Sequence, residues 1–385
     1  MITSRGNASR SEGVHLADHN PFLPTFGTSP PVLAGRDDVV ARFTRAFERG
    51  PIHPDYTMLI SGMRGVGKTV LLNEAEDAAL RLGWRVVSVS ASVRGLCQQI
   101  TNAALEHLRE AEDGRAPRRI SSVSVLGAGV SWTEQPATKA GRSVDLRSAL
   151  TSLAERLADG NTGLLLTVDE LQAVEREEAT ELAAAVQHIA RRELLPLAFV
   201  GAALPEVDET LLTDRGMTFF QRCARARLLP LERNDTQSAL RKPITGAGGR
   251  IDNDALDLAI HASGGHPFTI QLLGYHSWEM AAPDRRITAK HARVGVLEAE
   301  QAVLEQIVKP IWSGLSAIDR SFLQAMSIDN TDSDINTIAH RIGRSPNYAQ
   351  TYRRRLIDAG AIQPAGRGKV CFTHHSLRPW LRSQQ

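Results

Sequence analysis

Along the first 230 or so residues, short unbroken apolar runs alternate with stretches whose apolar residues recur every three to four positions. The runs are "YTMLIS" (56–61), "RVVSVSA" (85–91), "GLLLTVDE" (163–170), "LPLAFVGAA" (195–203) and "ARLLPLE" (226–232). Apolar residues at successive positions face opposite sides of a strand, so these runs predict strands buried on both faces. "KTVLLNEAEDAALRLG" (68–83) has helical spacing and a glycine stop. The alternation predicts an α/β fold, a parallel sheet covered by helices on both sides. Residues 113–145 break the rhythm. "ISSVSVLGAGVSWT" reads as two short strands around Gly127 and Gly129, a solvated hairpin-like insertion. From 233 to 308 the pattern is helical throughout, in "DALDLAIHAS", "PFTIQLLGYHSWEMA" and "TAKHARVGVLEAEQAVLEQIV". Four units are expected: a flexible N-terminal tail over 1–30, ending in Pro-rich extended chain; a sheet-containing core over 31–232; a helical unit over 233–308; and a compact C-terminal unit over 309–385.

Composition narrows the class. With 385 residues, 42% of them hydrophobic, the chain can bury a large core. The three cysteines, Cys97, Cys223 and Cys371, are scattered, which argues against a disulfide framework or a zinc site. "MITSRGNASRSEG" lacks the apolar stretch of a signal peptide, and "LLLTV" is far too short to span a membrane. A cytoplasmic protein is expected, with no membrane partner.

Chemistry concentrates in "GMRGVGKT", which is Gly62-x-x-x-x-Gly67-Lys68-Thr69 between an apolar strand and a helix. Glycines, Gly65 among them, let backbone N–H groups turn onto phosphate oxygens, and the helix N-terminus adds partial positive charge. Lys68 reaches the outer phosphates, Thr69 ligates Mg2+, and Val70 continues the helix beside them. This is a P-loop, so the expected ligand is ATP with Mg2+. "LLLTVDE" supplies the second half: Asp169 and Glu170 emerge at the C-terminal end of a buried strand, where ligands of such sheets bind. Asp169 suits the magnesium shell. Glu170 suits the base that positions or activates water, which favours hydrolysis over mere binding.

Three further stretches, "LAGRDD" (33–38), "FFQRCARARLLPLE" (219–232) and "SGGHPFTIQLLG" (263–274), lie around this motif. Together with the P-loop they resemble AAA+ and STAND ATPases, especially the archaeal-type group related to origin-recognition initiators, over residues 30–385. The resemblance implies a helical lid over 233–308. It implies that Gly35, Arg36 and Asp37 pack near the adenine, and that Pro267 of the Gly-x-Pro element faces the nucleotide. It also implies that Arg222, or failing it Arg225, acts across a subunit boundary, so a homo-oligomer is expected. Two departures stand out. "GGHPF" has no arginine where such lids often carry one, and "LPLAFVGAALPE" ends in alanines where a polar sensor is common. Both favour slow, switch-like hydrolysis. Arg191 and Arg192 are expected only to complement a helix dipole.

The C-terminal unit reads as three helices and a hairpin. Leu315, Ile318, Phe322 and Met326 line one helix, and Ile335, Ile338, Ala339 and Ile342 a second. Gly343 stops the second helix, Ser345 caps the third, and Ala349, Tyr352, Leu356 and Ala359 form the third's apolar face. Two strands then flank a Gly-Arg-Gly turn. This is a winged helix-turn-helix pattern. From Asp334 to Gln385 there are nine Lys/Arg and two acids, a local +7 against +2 for the whole chain. Double-stranded DNA is the expected partner. Asn347, Thr351 and Arg354 are placed for base edges, and Arg355, Arg367 and Lys369 for phosphates. For the 113–145 insertion the competing role is an arm touching DNA or a neighbouring subunit. The expected function is a nucleotide-dependent switch coupling ATP to DNA binding or self-assembly. The alternative is a signalling or defence switch whose winged helix packs on the core and gates a protein partner.

Overall fold

A computed structural model describes residues 20–25, 27–121, 144–208, 217–374 and 376–384. The core is a parallel six-stranded sheet in the order β3-β2-β4-β5-β1-β6, formed by β1 (Thr57–Gly62), β2 (Arg85–Ser90), β3 (Arg119–Ser121), β4 (Leu164–Asp169), β5 (Leu197–Ala203) and β6 (Ala224–Leu228). The apolar runs do what unbroken apolar strands must: alternate residues enter two different cores. Leu164, Leu166 and Val168 of β4, with Phe199 of β5, pack against α3 (Leu96–Glu112), α4 (Leu146–Asp159) and α5 (Arg176–Gln187). Leu165, Ala198 and Val200 pack on the other face with α1 (Asp37–Arg49) and α2 (Lys68–Arg81).

Two strand expectations are corrected. The last strand runs over Ala224–Leu228, because Arg225 pairs with Leu59 and Leu228 with Gly62 of β1, and Pro230 has no N–H with which to extend the ladder. In the 113–145 stretch, Arg119–Ser121 is not part of a solvated hairpin. It is the parallel edge strand β3, pairing Ile120 with Val87. Arg119 donates to the buried Glu76 at 2.7 Å, an attachment that no local pattern reveals. The segment around Gly127 and Gly129 lies outside the described residues.

After α6 (Thr218–Arg222) and β6 come α7 (Arg233–Gly246), α8 (Asn253–Ser263), α9 (Pro267–Met280) and α10 (Ala289–Val303). Two short strands, β7 (Arg250–Ile251) and β8 (Arg286–Ile287), interrupt them. A π-helical turn, Leu304–Val308, joins α10 to α11 (Lys309–Ser313). The C-terminal unit comprises α12 (Ala317–Ser327), β9 (Ser333–Asp334), α13 (Ile335–Arg341), α14 (Pro346–Asp358), β10 (Ile362–Pro364), β11 (Lys369–Phe372) and α15 (Leu377–Ser383). Gly343 adopts φ 64° between α13 and α14, and the Ser345 hydroxyl accepts from the Tyr348 N–H at 3.3 Å. β9, β10 and β11 form one antiparallel sheet. One continuous apolar core runs from Phe22 and the helices α7–α10 into this unit. No helix among the described residues is long and apolar enough to cross a membrane.

Candidate functional site

β1 ends in Gly62, and the chain turns back into α2 through Gly65 (φ 76°) and Gly67 (φ 97°), a left-handed conformation costly to any residue with a Cβ. Gly62 is needed for a different reason. A Cβ there would lie 2.8 Å from Val66 and 3.0 Å from the Leu228 carbonyl. The loop therefore presents its amides and the N-terminus of α2 to a cleft of about 690 Å³. Lys68 is buried, and its ammonium donates to the carbonyls of Gly62 at 2.9 Å and Met63 at 3.1 Å. An ammonium held by neutral carbonyls inside an open loop is ready to exchange them for phosphate oxygens, which carry charge.

Thr69 donates its hydroxyl to Asp169 Oδ2 at 2.7 Å, while Asp169 Oδ1 accepts from the Glu170 N–H at 2.8 Å. Burial raises the Asp169 carboxyl above its ordinary value, opposed by these two hydrogen bonds and by Lys68. Glu170 has φ 53°, a left-handed conformation that costs a non-glycine residue roughly 1–3 kcal/mol and gathers at functional sites. Its carboxylate accepts from the amide of Gln172, whose own oxygen accepts the Leu204 N–H at the end of β5 at 3.0 Å. Gln172 thus supplies the polar group missing from the alanine-rich end of β5. Sequence pattern alone does not reveal it, because it comes from the neighbouring strand's loop.

Of the residues expected to bind nucleotide, Arg36, Gly65, Gly67, Lys68, Thr69, Val70, Pro267 and also Glu170 line the cleft. Arg36 donates to the Leu229 carbonyl at 2.6 Å, and burial lowers its pKa. Gly35 supports from behind: at φ 65° it passes Asp235 so closely that a Cβ would meet the carboxylate at 2.6 Å. Pro267 opens α9, and the N–H of Phe268 donates to the Gly65 carbonyl at 3.3 Å. The helical unit therefore rests directly on the phosphate loop. The cleft is also lined by Leu23, Thr25, Gly27 and Thr28, and by Gln306, Ile307, Pro310 and Ile311 of the joint leading to the C-terminal unit.

Arg222 lies elsewhere. It precedes β6 at the edge of the sheet opposite the phosphate loop, roughly 20 Å away at the rise of a strand, and lines a separate cavity of about 410 Å³ with Arg191 and Thr57. It cannot reach its own chain's cleft. Among the described residues no hydrogen bond or ion pair engages its side chain. Arg225 instead donates to the Phe220 carbonyl at 2.8 Å. Arg191 reaches the Thr57 hydroxyl at 3.0 Å, so it does more than complement a helix end.

In the C-terminal unit Asn347, Thr351, Arg354, Arg355, Arg367 and Lys369 are all exposed. Arg355, however, pairs with the buried Asp319 at 3.0 Å, and Arg354 is not free. Part of the local positive charge is similarly engaged. Arg341 pairs with Asp329 at 2.7 Å, and Arg382 donates to the Ser327 carbonyl at 2.6 Å. Arg367 and Lys369 make no ion pair among the described residues. Besides the shared apolar core, the unit meets the site and the core domain through several contacts. His374 stacks on His266 at 4.9 Å, Gly360 lies beside Arg64 of the phosphate loop, and α14 packs against the short helix Pro205–Asp208 beyond β5.

Residues 32–200 match the family profile described as the AAA ATPase domain, and residues 305–381 match one described as a domain of unknown function. No curated protein matches the chain. Among solved structures, the Aeropyrum pernix ORC2 protein in ADPNP–ADP complexes superposes with a TM-score of 0.62 at 14% identity, covering 94% of this chain and 97% of that one. A Walker-type ATPase of Pyrococcus abyssi gives 0.63 at 16% identity, covering 91% and 96%. Cdc6p of Pyrobaculum aerophilum gives 0.50 at 14%, covering 93% and 95%. Residues 32–200 are thus a P-loop ATPase domain of the AAA class, set in a chain that shares its fold with the archaeal origin-recognition ATPases.

Proposed function

We propose that the chain is an ATP-driven switch that couples nucleotide state to DNA binding by its C-terminal unit. The observation that carries this reading is the make-up of the cleft: one pocket is walled by the phosphate loop, by the lid helix α9 and by the joint to the C-terminal unit. A nucleotide seated there touches all three, so its phosphates and base bear on where that unit sits. Thr69 and Asp169 would hold a magnesium ion. Their 2.7 Å contact beside the phosphate loop sets a hydroxyl and a carboxylate oxygen together, a pair that fits a hard divalent cation. When bound, the ion neutralises charge developing on the outer phosphates. The chain's own residues do the rest. Lys68 moves from loop carbonyls to phosphate, and Glu170 orients water while Gln172 fixes its carboxylate. Arg222, remote from its own cleft, completes the site of a second copy. Turnover that waits on such assembly is slow.

The C-terminal unit is read as a winged helix, with α14 as the recognition helix and the β10–β11 turn as the wing. Duplex DNA titrated at several salt concentrations against native chain and an Arg354→Ala/Arg367→Ala variant tests this. The variant is expected to bind more weakly, with a salt slope lower by about one unit for each phosphate-binding side chain removed. Binding that is absent at low salt, or unchanged in the variant, defeats it. A second reading has its own support, the packing of α14 on Pro205–Asp208. In that reading the helix stays on the core and nucleotide state gates a protein partner instead.

A further inference from the structure

The chain before α1, expected to be a loose tail, is built into the nucleotide cleft from Asn20 onward. Phe22 is 1% exposed and seats over Gly274 of α9, where a Cβ would overlap its ring at 2.4 Å. Asn20 donates to the Tyr275 carbonyl at 3.0 Å and to Glu279 at 2.7 Å. The Leu23 N–H donates to the Gln271 side chain at 3.0 Å. Thr25 then lines the cleft, and Gly27 reaches the phosphate-loop helix. There Asn73, one turn beyond Thr69, donates its amide to the Gly27 carbonyl at 2.9 Å. Gly27 itself lies against Thr69: a Cβ on it would be 3.5 Å from the Thr69 methyl. The Thr28 N–H donates to the Thr25 carbonyl at 3.3 Å, closing a turn. Leu23, Thr25, Gly27 and Thr28 all line the cleft.

We propose that Leu23–Thr25, with Gly27 and Thr28, form a strap closing the nucleotide site on its Thr69 side, and that Asn73 is the positioning residue that holds it shut. The proposal rests on the reading of this cleft as a nucleotide site. Asn20, Phe22 and Leu23 hold the segment to the lid, and among the described residues the core anchor is one neutral hydrogen bond at the rim, Asn73 to Gly27. That bond is the weak link. While it holds, the strap ties the lid to α2 and covers the side of the cleft where Thr69 and Asp169 stand. When it opens, the mouth opens with the lid anchors intact. Nucleotide exchange is therefore set by the strap, and Asn73 acts on exchange through Gly27 without touching the nucleotide.

The test is stopped-flow binding and release of a fluorescent ATP analogue by the full chain, for native protein, Asn73→Ala and Asn73→Asp. The aspartate keeps the size and loses the donor. Both variants are expected to release the analogue about five- to tenfold faster, the worth of one hydrogen bond of roughly 1 kcal/mol. Association is expected to quicken as well, so the dissociation constant shifts less than the release rate. A merely structural Asn73 would lower the melting temperature and leave the release rate unchanged, and that result overturns the proposal. Amide hydrogen exchange gives a second readout that needs no ligand. The Leu23 N–H is expected to be protected in native protein. A Leu23 amide exchanging at the rate of free chain overturns the strap outright. If native protein shows protection at Leu23 but no saturable analogue binding, the nucleotide reading fails while the docked strap stands, and its role in exchange is overturned with that reading.

Discussion

Gly265→Ala tests whether the lid must rest on the phosphate loop. Gly265 has φ 73°, and its carbonyl accepts the Leu231 N–H at 2.8 Å. A Cβ there would lie 2.2 Å from the Leu231 carbonyl oxygen and 3.1 Å from its nitrogen, both main-chain atoms that cannot rotate away. The left-handed backbone costs an alanine about 1–2 kcal/mol. Relieving the overlap means parting Gly265 from Leu231, which forfeits a hydrogen bond worth about 1 kcal/mol. Two residues on, Pro267 lines the cleft and the Phe268 N–H holds the Gly65 carbonyl, so the displaced turn carries the lid off the loop. A cost of about 2–3 kcal/mol, falling on the closed arrangement, corresponds to roughly thirty- to a hundred-and-fiftyfold weaker ATP binding. A fluorescence titration with an ATP analogue, run beside thermal unfolding, measures it. Gly343→Ala is the control. It has φ 64° with nothing within 4 Å of its added Cβ, so it should lose about 1 kcal/mol of stability with ATP affinity unchanged. If Gly265→Ala binds ATP within about twofold of native protein, less than 0.5 kcal/mol, the resting of the lid on the loop is not part of the site.

Lys68→Ala removes the only ammonium lining the cleft among the described residues, and ATP binding measured by calorimetry should be lost; unchanged affinity sinks the P-loop assignment. Glu170→Gln should keep ATP and slow single-turnover hydrolysis by about tenfold or more, as for a lost general base; unaffected turnover removes Glu170 from the chemistry. Arg222→Ala should leave ATP affinity intact and lower hydrolysis only where copies associate, and mixing it with Glu170→Gln should partly restore activity; no restoration, with a native rate independent of concentration, makes Arg222 structural. The raised Asp169 carboxyl fixes a sign: the folded metal-free site holds the proton more tightly than the unfolded chain does, so its contribution to stability is present at low pH and lost as pH rises through the raised value. Magnesium needs the carboxylate, so the magnesium-dependent shift in melting temperature should grow over that same rise and fade above the ordinary aspartate range of about 3.9 as pH falls; a shift that persists down to that range contradicts the assignment.

The parts of this protein that were readable in the sequence are those encoded locally. The phosphate loop is one, because glycine spacing, a preceding apolar run and a following helix are contiguous between Thr57 and Arg81. The paired carboxyl residues at the end of β4 are another. The cap at Ser345 and the stop at Gly343 also need only neighbours. What stayed hidden depends on residues distant in the chain. β3 is three residues whose only sign is a partner in β2. Gln172 becomes polar support for the site only because β5 ends beside it. The Pro-rich stretch before α1 has the composition of a loose tail, yet Phe22 finds a hole over Gly274 more than two hundred residues away. The basic count of the C-terminal unit could not show that Arg341, Arg355 and Arg382 already have partners within it.

The most direct test of the coupling between nucleotide and C-terminal unit is the affinity for duplex DNA at one fixed salt concentration. It is measured with a non-hydrolysable ATP analogue, with ADP and with no nucleotide, for native protein and for Lys68→Ala. Native affinity is expected to differ between the ATP analogue and ADP, and Lys68→Ala to show one affinity in all three conditions. Native DNA affinity that is the same with the analogue, with ADP and without nucleotide would contradict the coupling.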